Sequence, residues 1–155
     1  MIKNILAVIV GYIAMAAFVF LTFSAVYMIT GSEGAFVSGS YEVSTMWILA
    51  SIVLGFVGAV VGGLTSSAMS KSARAPMVLA GLVLVLGLVM AIPTVSAEQP
   101  ESMVRQGDVA MMDAMNSAQQ PSWLAFLNPF IGAFGVVVGS RCRKKPFASP
   151  TESTD

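Results

Sequence analysis

The stretch Val43–Ser70, VSTMWILASIVLGFVGAVVGGLTSSAMS, runs for 28 residues without a charged side chain. An α-helix rises about 1.5 Å per residue, so roughly 20 residues cross a hydrocarbon core of about 30 Å. The stretch is therefore long enough to span a bilayer, and it is not alone. Charge-free runs of 29 residues lie between Lys3 and Glu33, of 23 between Arg74 and Glu98, and of 27 between Asp113 and Arg141, the last 19 of these being mostly apolar. Barrel strands alternate apolar and polar residues over about ten positions, and none of these runs does. The expected fold is all-α: an integral membrane antiparallel bundle of four transmembrane helices at about 5–29, 44–69, 76–96 and 122–140, both termini cytoplasmic. Residues 1–147 read as a single transmembrane domain with an outer loop at 97–121. Residues 148–155 read as a disordered cytoplasmic tail.

Composition supports the same class by exclusion. Of 155 residues 56% are hydrophobic and only 10% charged, with eight basic and eight acidic side chains, no histidine and one cysteine. A disordered chain needs low hydrophobicity and high net charge. A disulfide framework needs paired cysteines, and zinc or haem sites draw on histidine or several cysteines. A nucleic-acid binder needs a basic face. None of these fits, so no cofactor, metal or nucleic acid is expected. The first run begins like a signal peptide, but signal cores are about 7–15 residues long, so it reads as an anchor.

The charges orient the bundle. In a four-span arrangement Lys3, Lys71, Arg74, Arg141, Arg143, Lys144 and Lys145 share one side with Glu152 and Asp155. The other side holds Arg105 with Glu33, Glu42, Glu98, Glu101, Asp108 and Asp113. Basic residues collect on the cytoplasmic side, which places both termini there. Trp47 and Trp123 begin the second and fourth spans on the outer side, with Tyr27 and Tyr41 nearby, where amphipathic rings settle at a membrane interface. The location expected is a cell membrane, multi-pass, of the bacterial inner-membrane kind.

Within the spans, small residues recur. Ser51, Gly55, Ala59, Gly63 and Ser67 repeat every four positions in the second, with Gly58 and Gly62 beside them; Gly132, Gly135 and Gly139 lie in the fourth. Lipid tails are as apolar as leucine, so close backbone approach through small residues is what draws helices together. These residues are read as helix-packing positions, within one chain before a dimer. The trio Gly55, Gly58, Gly62 and the trio Gly132, Gly135, Gly139 share a spacing, each following a tryptophan, which hints at two tandem hairpins. In the outer loop Val104, Met111, Met112 and Met115 can share one face of a short surface helix. Its methionines read as apolar contacts before soft-metal ligands. Cys142, flanked by arginines, reads as a reduced cytoplasmic thiol.

Asn128-Pro129 is the most polar point of any span. Pro129 cannot donate to the Ala125 carbonyl, so a kink is expected, and Asn128 should face the bundle interior. The expected partner is a side chain of the first span, from Thr22, Ser24 or Tyr27; the competing reading is a ligand contact at a broken helix. No span holds Asp, Glu, Lys, Arg or His, which disfavours ion-coupled transport and intramembrane acid–base catalysis. The function expected is therefore non-enzymatic: a scaffold or accessory subunit of a membrane complex. The alternative is a small channel or facilitator for an uncharged solute, acting as an oligomer. The partners expected are the lipid bilayer and either a membrane protein or further copies of the chain.

Overall fold

A computed structural model describes residues 2–70, 72–96, 105 and 107–142. Five helices follow in order: α1 (Ile2–Ala35), α2 (Thr45–Met69), α3 (Arg74–Ser96), α4 (Met111–Ser117) and α5 (Ser122–Cys142). Four of them, all but α4, are long and apolar enough to cross a membrane. Among the described residues no strand forms; two isolated bridges, Phe36 with Val43 and Glu42 with Gln119, join the loops. The expected tail at 148–155, Lys71, Arg143, Lys144, Lys145 and the loop residues Glu98, Glu101, Met103, Val104 and Gln106 lie outside the described residues.

The long helices match the charge-free runs, with adjusted ends. The N-terminus of α2 is capped by Ser44, whose hydroxyl accepts from the Trp47 N–H at 3.2 Å. Helix α1 runs beyond the expected residue 29 but breaks at Gly31, where φ is 64°. That left-handed backbone is open to glycine at no steric cost, so the chain turns there and continues for one more helical turn. Helix α4 is only seven residues long and is anchored by buried Ala114, with Met112 and Met115 exposed.

The loops at one end assemble into a cap. Ala35, Phe36 and Ala114 form its buried centre, with Tyr27, Tyr41, Val43, Trp47 and Val109 around them. Trp47 meets Phe23 and Tyr27 edge to face at 5.6 and 6.1 Å, a geometry that pairs ring edge with ring face.

At the opposite end the helices themselves supply the core. Ala59, Leu79 and Val136 are fully buried, with Ala80, Val8, Met15, Val83, Ala133 and Val137 against them. Helix α2 sits in the middle of this packing, against α1 on one side and α5 on the other. A Cβ on Gly58 would stand 2.6 Å from Val19, and one on Gly62 2.9 Å from Met15. On the other flank Gly63 lies against the Val136 carbonyl and Gly139 against the Val60 carbonyl. These two contacts are reciprocal: positions 60 and 136, 63 and 139, and 47 and 123 are each 76 apart. The α2–α5 interface thus has an internal two-fold relation, as a tandem pair of hairpins would give. The glycine trios that suggest duplication in the sequence are 77 apart, one residue out of the register the contacts use.

Candidate functional site: a cleft at the capped half of the bundle

The two-fold relation of the α2–α5 interface does not extend to the helix pairs across the bundle. If the hairpin of α1 and α2 matched that of α3 and α5 throughout, the pair α1–α5 would mirror α2–α3. Helices α2 and α3 touch, whereas no Cα of α1 lies within 8 Å of a Cα of α5. The gap is a cleft of about 620 Å³, in the range of small-molecule pockets.

Its walls come from all four long helices. Met15, Val19 and Phe23 face it from α1, Ser51 and Gly55 from α2, and Val83, Gly87 and Met90 from α3. Ala125, Asn128, Pro129 and Gly132 of α5 form the floor, with Gln120 towards the cap. Ala125 and Pro129 are buried, while Tyr12, Leu86 and Met90 are exposed, so the mouth opens between α1 and α3. Those two helices meet near the opposite end, where a Cβ on Gly11 would stand 2.9 Å from Leu79. The core around Ala59, Leu79 and Val136 closes the cleft on that side, so it is blind.

Asn128-Pro129 shapes the floor. The Pro129 ring is received by Gly87 of α3, where a Cβ would stand 2.6 Å from Pro129 Cγ. That contact seats Pro129 on α3 and leaves Asn128, half-buried, at the cleft floor. The side chain expected to pair with α1 does not do so. Thr22 donates to the Phe18 carbonyl at 2.8 Å, Ser24 to the Phe20 carbonyl at 2.7 Å and Tyr27 to the Val109 carbonyl at 2.8 Å. Each hydroxyl is satisfied by backbone, and the Asn128 amide has no hydrogen-bond partner among the described residues.

The expected packing residues fall into two groups. Gly58, Ala59, Gly62, Gly63, Gly135 and Gly139 lie at helix contacts, and a Cβ on Gly132 would stand 2.9 Å from Val83 of α3. Ser51 and Gly55 instead line the cleft; a Cβ on Gly55 would meet nothing within 4 Å. Ser51 turns its hydroxyl back to the Ile48 carbonyl at 2.7 Å.

Two features were missed by the sequence reading. Gly87 stands in a leucine- and valine-rich run where the one signal is Ala91 four residues on, itself buried beside the cleft. Arg105 enters the sequence only as one charge on its side of the bundle, yet its side chain is 1% exposed. It donates to Glu33 Oε1 at 2.5 Å, to Ser32 Oγ at 2.8 Å and to the Gly107 carbonyl at 2.7 Å, while Ser32 also bonds Asp108. The segment before α4 is thereby fastened to the broken end of α1. Its one signal in sequence is being the only basic residue on its side.

Among the described residues no three acidic or cysteine side chains gather in a metal-sized group. None of the described residues that line the cleft is charged. No protein-family model, curated protein or solved structure matches the chain. The class defined by fold and site is thus a helical protein with four apolar, membrane-length helices and a blind, uncharged cleft.

Proposed function

We propose that the chain is a non-enzymatic, multi-pass membrane protein that binds an uncharged molecule in its cleft, on the facilitator side of the two functions the sequence leaves open. The proposal includes the antiparallel membrane bundle, with the termini cytoplasmic and the cap outside, in a bacterial inner membrane. The basic residues near the uncapped end support that orientation. The ordering of contacts supports the antiparallel arrangement, since Gly11 packs near Gly62 and Ser66 while Val19 packs near Gly58.

The observation that carries the reading is Asn128. A scaffold has a dry core whose polar groups are paired. Here a primary amide, with two donors and an acceptor, faces a cleft with no protein partner among the described residues. In hydrocarbon such a group is expensive, so it is best explained by a ligand that pairs it. Among the described residues the one ionisable group of the cleft is the Tyr12 phenol at its mouth, with no base or carboxylate beside it to activate a substrate, which supports the non-enzymatic reading. Passage through the membrane would require the core at Ala59, Leu79 and Val136 to part. A homo-oligomer or a partner protein remains compatible with the broad apolar surface outside the cleft.

Cysteine reactivity tests the reading. In a Cys142→Ser background, Gly55→Cys and Asn128→Cys should react with a small membrane-permeant maleimide, whereas Ala59→Cys in the packed core should not. Equal protection at all three positions would mean a filled interior and would restore the scaffold reading.

A further inference from the structure

We propose that the cleft takes an uncharged lipophile with an apolar body and a carbonyl or hydroxyl group that hydrogen-bonds the Asn128 amide; this rests on the cleft being a binding site. Among the described residues the walls are aliphatic and aromatic except at Ser51, Gln120 and Asn128, and no lining side chain carries a charge. An ionic headgroup would therefore enter without a counter-charge in a low-dielectric site. The mouth lies between exposed Tyr12 of α1 and exposed Leu86 and Met90 of α3, on faces that acyl chains cover when the helices span a bilayer. A ligand already dissolved in the membrane thus has the direct route in.

Depth narrows the class further. Asn128 lies six residues into α5 from Ser122, roughly 9 Å along the helix. A phospholipid anchored by its headgroup at the helix ends would lay only acyl chain against the amide, leaving its donors and acceptor unpaired. A lipophile whose polar group is compact and free to sit at that depth satisfies them. A helix from a second copy does not fit, because a helix with its side chains is about 10–12 Å across and needs a continuous groove. This cleft is closed at one end where Gly11 meets Leu79 and Ser66.

The test uses the full chain in phosphatidylcholine nanodiscs with a photoreactive alkyl benzophenone, which is uncharged and has one carbonyl and one apolar chain. Four proteins are compared: wild type, Gly55→Leu, Asn128→Leu and Gly81→Leu. Gly55→Leu fills the cleft from a position with open space around it. Gly81→Leu adds the same side chain at an equally open position outside the cleft. Crosslinking should saturate in wild type and Gly81→Leu and map to cleft-lining peptides of α3 and α5. It should fall about tenfold in Gly55→Leu and Asn128→Leu, the loss expected for a buried hydrogen bond or an occluded site. An alkyl benzophenone bearing a carboxylate should not compete. Crosslinks spread over the exposed helix faces and unchanged by Gly55→Leu would overturn the proposal, as would equal capture of the carboxylate probe. If Gly55→Cys and Asn128→Cys react but the neutral probe does not saturate, the ligand class is wrong and the cleft stands. If both cysteines are protected, the binding reading itself is lost.

Discussion

Gly87 of α3 holds the ring of Pro129 of α5 so closely that a Cβ on the glycine would stand 2.6 Å from Pro129 Cγ. The contact joins the two halves of the site. Proline breaks the hydrogen bonding of α5, glycine on the neighbouring helix makes room for its ring, and the adjacent Asn128 is left facing the cleft.

Gly87→Leu should therefore destabilise the bundle by about 1–3 kcal/mol, the usual cost of overpacking a close crossing. Reversible unfolding in mixed micelles measures it. Stability equal to wild type would show that the ring is not seated there.

Asn128→Leu should behave differently. The amide has no partner among the described residues, so its removal breaks no hydrogen bond among them. Unfolding free energy should stay within about 0.5 kcal/mol of wild type, as for substitutions that disturb no packed feature. A loss of about 1–2 kcal/mol, typical of a broken interhelical hydrogen bond, would mean that the side chain is paired after all.

Much of this architecture is written in the sequence because it depends on local pattern. Charge-free runs fix the four long helices, and small residues at four-residue spacing place Gly58, Gly62, Gly63, Gly135 and Gly139 at crossings. The cleft is not local. It exists because α1 and α5 fail to meet, and no spacing within either helix encodes a missing contact. Gly55 shows the difference, since it shares the periodicity of Ala59 and Gly63 yet faces open space. Arg105 is hidden for a related reason: its side-chain partners Ser32 and Glu33 lie 73 and 72 residues away.

The Arg105 cluster should hold the segment before α4 in place. Arg105→Ala would leave the Ser32–Asp108 contact without its cation and detach the loop from α1. Amide hydrogen exchange over residues 107–117 should accelerate by about tenfold or more, corresponding to a charged hydrogen bond of about 1.5–3 kcal/mol. Exchange in the α2–α5 interface should not change. Unaltered protection of the loop would show that the apolar contacts of Ala114 suffice without the arginine.

Orientation is open to labelling in intact cells. In a Cys142→Ser background, Ser38→Cys in the exposed capped-end loop should react with a membrane-impermeant maleimide, and Ala73→Cys should not. Native Cys142, exposed at the end of α5, should also be protected in wild-type cells. The reverse pattern would turn the molecule over in the membrane.

The account depends most on one contrast within a single helix: α2 packs tightly at Gly58 and borders empty space at Gly55, one turn away. Unfolding free energies of Gly55→Leu and Gly58→Leu, measured side by side, address it directly. Gly58→Leu should lose about 1–3 kcal/mol against Val19 and Phe18. Gly55→Leu should change stability by no more than about 0.5 kcal/mol. Equal losses at the two positions would mean that the cleft is filled by protein, and the binding reading would fail with it.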